Sequence, residues 1–246
     1  MIPKTIWQTY KTQYPDSQSV DSIRTWLKLN PDHVWYYFDD ARCERFVRDH
    51  FDTEFYQMYM SLPLGVMKAD VWRVAVVYVY GGIYADLDTQ CLVPAAQWIH
   101  DTDELIVGVE TPHGAINNFV FAAAPQHPAI YTVLQTLLEF YKAPWYLSKD
   151  SPTPVQDFGA NAWSYGLLRH YGLNDAESMF QGGDYYNTVE QVKQEKTKFF
   201  SYKSNAFSPA PTHDTLVHHL TGSVSWDNRY ESWRTQQQDV FGVCGQ

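Results

Sequence analysis

Apolar positions along this chain switch repeatedly between a period of two and a period near 3.6. Pro3 to Tyr10 reads as a first strand, and Val20, Ile23, Trp26 and Leu27 then recur at helical spacing until Asn30-Pro31 ends the helix. Val34-Trp35-Tyr36-Tyr37-Phe38 is aromatic and β-branched and predicts a second strand, after which Asp39 or Asp40 caps a helix carrying Cys43, Phe46 and Val47. Leu64 to Tyr80 is ambiguous. Its valines and tyrosines favour a strand, whereas its length, the leading Lys68-Ala69 and Gly81 as a stop favour a buried helix. Ile116 to Ala124 reads as another strand, carrying Asn118, and Pro128 to Tyr141 returns to helical spacing through Ile130, Val133, Leu134, Leu137 and Leu138. From Lys142 to Asn161 the chain is Pro- and Ser-rich, which suggests a long surface loop with Asp157, Gly159 and Asn161 as polar candidates. Strands alternating with helices predict an α/β fold with a mostly parallel sheet, whose ligands sit beyond the carboxyl ends of the strands.

Length adds a bound: 246 residues suffice for one large α/β domain, so residues 1–246 are expected to form a single domain. A formal net charge of −10 argues against a phosphate-tracking surface, and hence against nucleic acid or an anionic membrane as partner. No apolar run approaches the roughly 20 residues of a membrane span, and Met1-Ile2-Pro3-Lys4 does not begin a signal peptide. Cys43, Cys91 and Cys244 are widely spaced and odd in number, giving neither a metal-binding spacing nor a disulfide framework. The expected setting is a reducing compartment, cytoplasm or host-cell cytosol, with a truncated luminal domain as the alternative.

Chemistry concentrates in Lys68-Ala69-Asp70-Val71-Trp72-Arg73 and Gly81-Gly82-Ile83-Tyr84-Ala85-Asp86-Leu87-Asp88-Thr89. Four ionisable groups, Asp70, Arg73, Asp86 and Asp88, lie in a segment that otherwise reads as core, and buried charge persists where it is paired or binds an ion. On a strand, Asp86 and Asp88 point to one face, an arrangement that offers oxygen ligands to a hard divalent cation. Asp101-Thr102-Asp103 has the same spacing but sits in a polar run and reads as a solvated loop. If Asp70 and Arg73 lie on a helix they share a face at i, i+3; on a strand they would diverge. The bland alternative is a buried ion pair without function. Further on, His218 and His219 precede Leu220-Thr221-Gly222-Ser223, and on a strand only one of the two can face the aspartates. Two carboxylates with an imidazole would suit Mn²⁺.

Together these motifs, with Ile2-Pro3-Lys4-Thr5-Ile6-Trp7-Gln8 at one end, Leu92-Val93-Pro94 after the paired aspartates, and His218 to Ser223 at the other, resemble glycosyltransferase family 32. That family includes fungal initiating mannosyltransferases, bacterial capsular transferases and clostridial glucosylating toxins. The resemblance implies a GT-A-type, Rossmann-like domain with a nucleotide-sugar half near residues 1–125 and an acceptor-side half near 126–246. It implies a metal-dependent, retaining hexosyl transfer from a nucleotide-sugar to a glycan or other hydroxyl acceptor, with Mn²⁺, or Mg²⁺ in its place. Asp88 would bind the metal directly, Asp86 the nucleotide ribose and, through water, the metal, Asp70 sugar hydroxyls, and Arg73 the sugar or diphosphate. Trp7 or Gln8 would lie by the base, His218 would be the third metal ligand with His219 in reserve, and Asn118 and Trp226 would serve the donor sugar and a closing C-terminal loop. Where the family often has Thr-Gly-Pro, this chain has Asp157-Phe158-Gly159-Ala160-Asn161, and Val224-Ser225 are inserted before Trp226, so acceptor specificity does not carry over. Leu92-Val93-Pro94 tilts the donor toward GDP-mannose over a UDP-hexose.

Three rivals carry less of the pattern. A glycoside hydrolase needs carboxylates that flank the scissile bond, not two projecting in parallel from one strand. A haloacid-dehalogenase-type phosphatase needs threonine one position later than Thr89. A sugar-nucleotide binding module would retain the same charged residues without turnover.

Overall fold

A computed structural model of the chain describes residues 1–109, 116–142, 157–172, 196–200, 206–208 and 215–220. In its six-stranded sheet, β1 (Thr5–Thr9) lies between β2 (Val34–Phe38) and β3 (Gly82–Ala85), parallel to both. β6 (Val120–Ala123) runs antiparallel to β3 and to β5 (Leu105–Gly108), and β7 (Thr197–Phe200) pairs parallel with β5. The order is β2-β1-β3-β6-β5-β7, so β6 alone opposes the common direction. A smaller sheet places β9 (Val217–His219) between β4 (Thr89–Cys91) and β8 (Phe207–Ser208).

Period-two alternation decides which side each strand residue serves. Trp7, Tyr84 and Phe121 enter one core with the helices α2 (Asp40–His50), α3 (Thr53–Ser61), α4 (Gly65–Tyr80), α5 (Pro128–Lys142) and α6 (Ala162–His170). Their neighbours Ile6, Ile83 and Ala122 enter the other, with Trp26 of α1 (Ser17–Leu29) and Val217 of the small sheet. Asp16, Asp39 and Asp52 cap α1, α2 and α3 by accepting from the N–H groups of Ser19, Arg42 and Phe55.

The ambiguous segment is helix α4. It reads as apolar on every side because Met67, Val71, Trp72 and Val74 to Val77 are all buried, between the sheet and neighbouring helices. Gly81 ends it at φ +67°, and Gly82 follows at φ +101° with so little room that a Cβ would stand 2.7 Å from the Thr5 carbonyl oxygen. The chain therefore turns straight from α4 into β3.

Three expectations need correction. The strand expected from Ile116 begins only at Val120, because Asn117 to Phe119 bend away to meet α4 and α6. The end of the expected surface loop is a π-helical turn over Asp157–Asn161, with Phe158 fully buried, while residues 143–156 lie outside the described residues. Asp103 is not solvated: it accepts from Lys198 Nζ at 2.8 Å and from the His100 N–H at 2.8 Å. Among the described residues, no helix is long and apolar enough to cross a membrane.

Candidate active site

At the carboxyl end of β3, Asp86-Leu87-Asp88 forms a turn into β4, where a continuous strand was expected. Thr89 makes the turn: its N–H and its Oγ1 both donate to the Asp86 carbonyl, at 3.1 and 2.6 Å. The two carboxylates converge because the backbone doubles back. Trp26 Nε1 in turn donates to the Thr89 carbonyl at 3.1 Å, tying the turn to α1.

α4 delivers Asp70 and Arg73 on one face, and both side chains are over nine-tenths buried. Arg73 Nη2 lies 3.0 Å from Asp70 Oδ1 and 3.4 Å from Asp86 Oδ1, while Nη1 donates to the Asn118 carbonyl at 2.8 Å. Its guanidinium also sits 4.9 Å from the centre of the Tyr84 ring. Asn118 Nδ2 donates to Asp70 Oδ1 at 3.0 Å, and the Tyr84 hydroxyl donates a short hydrogen bond to Asp86 Oδ1.

Burial pushes the Asp70 carboxyl up to about 6, although Arg73 pulls it down. Asp86 is likewise raised by burial, with Arg73 opposing and Asp88 adding to the shift. Burial alone would lower the Arg73 guanidinium, but Asp86, Tyr84 and Asp70 more than reverse this, so its charge is secure.

Asp86, Asp88 and His219 each offer one ligand atom, all within 4.8 Å of one another. His219 Nε2 lies 3.4 Å from Asp88 Oδ1, a buried oxygen that accepts no hydrogen bond among the described residues. An oxygen left in this state fits a cation better than it fits any internal partner. Two carboxylate oxygens and an imidazole nitrogen suit Mn²⁺, and Mg²⁺ less well.

The third member is His219, not His218. Antiparallel pairing sets His219 opposite Thr89 and His218 opposite Gln90, so the histidines face opposite sides and only His219 reaches Asp88. Phe119 holds its imidazole in a parallel stack, centroids 4.3 Å apart.

Trp7 and Gln8, one of which was expected by the base, both make internal hydrogen bonds that support the sheet. Gln8 is fully buried, donating to the Asp86 carbonyl at 3.3 Å and accepting from Trp35 Nε1 at 2.9 Å. Trp7 points away from Asp86, its indole donating to the Gly81 carbonyl at 2.8 Å and stacking on Tyr36. There it lines a cavity of about 670 Å³ with Tyr36, Tyr80, Arg42, Arg45 and His50. Trp226 lies outside the described residues.

Sequence reasoning missed Tyr84, Phe119 and the part Gly159 plays beside Asp70. Tyr84 was legible, since it lies two residues before Asp86 on a strand; Gly159 was marked only as a candidate of a surface loop, and nothing local marks Phe119.

Residues 16–105 match the family described as glycosyltransferase sugar-binding region containing DXD motif. Mannosyl phosphorylinositol ceramide synthase CSH1 of Saccharomyces cerevisiae is 29% identical over 238 residues, covering 91% of this chain and 58% of its own length. Inositol phosphoceramide mannosyltransferase 3 of Schizosaccharomyces pombe is 31% identical over 66% of this chain and 45% of its own. The initiation-specific alpha-1,6-mannosyltransferase of Candida albicans is 28% identical over 44% of this chain and 32% of its own. The chain thus spans only part of the length of these relatives. Among solved structures, PaToxG glycosyltransferase superposes with a TM-score of 0.52 at 15% identity, covering 78% of this chain and 76% of its own, which establishes a shared α/β fold of the GT-A type. Asp70, Arg73, Asp86 and Asp88 all fall inside residues 16–105, the segment of this chain that matches glycosyltransferase sugar-binding regions containing a DXD motif.

Proposed function

We propose that this chain is a metal-dependent, retaining hexosyltransferase that moves mannose from GDP-mannose to a hydroxyl of a glycan or other polyol. The observation that carries the reading is the convergence of Asp86, Asp88 and His219 beside the buried Asp70–Arg73 pair. Mannose is favoured because the three relatives named above are called mannosyltransferases or mannosyl-lipid synthases.

Asp88, Asp86 and His219 would hold Mn²⁺, which when bound supplies Lewis-acid neutralisation of a departing diphosphate. Asp70 is the candidate for orienting donor hydroxyls, with Asn118 fixing its Oδ1. Arg73 beside Asp70 and Asp86 opposes the rise that burial imposes on both carboxyls and so favours their hydrogen-bond-accepting forms. Asp70 is a poor covalent nucleophile, since Asn118 and Arg73 hold one oxygen and Gly159 crowds the other. That geometry favours front-face attack by the acceptor hydroxyl with the leaving phosphate taking its proton; trapping a glycosyl-enzyme adduct would overturn this step.

The test is turnover across a panel of GDP- and UDP-sugars, with Mn²⁺ or with chelator, for the native chain and Asp88→Asn. Release of nucleoside diphosphate from GDP-mannose, dependent on metal and lost in the variant, is expected. Release from a UDP-hexose instead would correct the donor. Donor binding without turnover under any acceptor would favour a binding module, and no binding at all would leave the cluster structural.

A further inference from the structure

We infer that Gly159 is a positioning residue of the donor-sugar subsite, acting through the carboxylate of Asp70; this rests on the glycosyltransferase reading above. The π-helical turn Asp157–Asn161 brings the Gly159 backbone so close to Asp70 that a Cβ built there would stand 2.0 Å from Oδ2 and 2.7 Å from Cγ. No packed interior accommodates heavy atoms at that separation, so the carboxylate or the turn would have to move. Gly159 does not have a positive φ, unlike Gly81, Gly82 and Gly172, so the backbone itself would accept alanine. The demand for glycine is therefore a demand for space.

Neither partner has slack. Asp70 Oδ1 is held by Asn118 Nδ2 and Arg73 Nη2, each at 3.0 Å. The turn is anchored by Phe158 and Ala162, both fully buried. Behind it, Trp163 Nε1 donates to the Asn117 carbonyl at 3.0 Å, and Ser164 Oγ accepts from the Ile116 N–H at 3.1 Å. These bonds join the turn to the segment that carries Asn118. Asn118 and Gly159 thus approach Asp70 from one interlocked body, built from residues outside the 16–105 match. Together they set the direction in which Asp70 can accept from a sugar hydroxyl, and a displacement on the order of 1 Å at such a group costs about 100-fold in rate.

The test is a cycle of native chain, Gly159→Ala, Asp70→Ala and the double variant, read by thermal midpoint, donor affinity, turnover and affinity for the free nucleoside diphosphate. Gly159→Ala is expected to lower kcat/KM for the donor at least about 10-fold, with nucleoside diphosphate affinity held within about 2-fold. In the Asp70→Ala background, where the space is vacated, the same substitution should change neither donor affinity nor thermal midpoint appreciably. Native kinetics in Gly159→Ala, or losses that multiply in the Asp70→Ala background, would overturn the proposal. Should Gly159→Ala fail to fold, a folded double variant supports the contact, and an unfolded double variant beside a folded Asp70→Ala overturns it. The thermal cycle needs no donor. Coupling there without turnover by the native chain would retain the contact but sink the glycosyltransferase reading, and the positioning role with it.

Discussion

Asp70 carries the sharpest conflict between stability and use. Its ordinary value near 3.8 is raised to about 6 by burial, so between those values the folded chain binds more protons than the unfolded one. Its contribution to stability is therefore full below 3.8 and declines as pH rises through about 6. Asp70→Asn is expected to raise the melting temperature at pH 7.5, converge with the native chain in acid, and abolish sugar transfer; a pH series of thermal melts checks the first two. Tyr84 offers a complementary case, since its hydroxyl donates to Asp86 while its ring lies beneath Arg73. Tyr84→Phe removes only the donor, and a hydrogen bond to a charged group contributes about 1.5–3 kcal/mol to stability, so thermal melts should show a lowered melting temperature, by about 2–4 °C for each kcal/mol lost. The adjacent histidines separate on the same logic. His219→Ala should weaken Mn²⁺ binding at least about 10-fold and His218→Ala should not, as calorimetric titration with the metal alone would read.

At the scale of elements, what was legible depended on how local the cause was. β2 is found at the residues its aromatic run marks, and the cap of α2 falls to Asp39, one of the two aspartates expected there. The i, i+3 spacing of Asp70 and Arg73 foretold a shared face once α4 proved helical. The turn at Asp86-Leu87-Asp88 was not legible, because it depends on Thr89 folding back onto a carbonyl, and alternation in sequence looks the same whether a strand continues or stops. Nor could the sequence place His219, whose facing depends on a register set 130 residues away (219 − 89). Thr89→Val tests the turn: loss of the hydroxyl should destabilise the fold by about 1 kcal/mol and reduce metal affinity more than that alone predicts. Equal metal affinity in the variant would mean that β4 and β9 hold the aspartates without it.

Viewed as a whole molecule, the site lies on a seam. Asp86 ends a strand of the large sheet, His219 belongs to the small one, and the Asp88 carbonyl accepts from the Leu220 N–H at 3.0 Å. The chain's formal net charge of −10 favours a bound cation, and a metal at one hundred times its dissociation constant adds about 2.7 kcal/mol to stability. Mn²⁺ is therefore expected to raise the melting temperature of the native chain and leave Asp88→Asn unchanged. Because the ligands come from both sheets, the metal would act as a rivet. Chelation should loosen the small sheet before it unfolds the large one, and amide exchange at Leu220 should quicken while Ile83 and Ala122 stay protected. Occupancy of the donor site and rigidity of the strand that frames it then become one variable, so the molecule would sense its own loading.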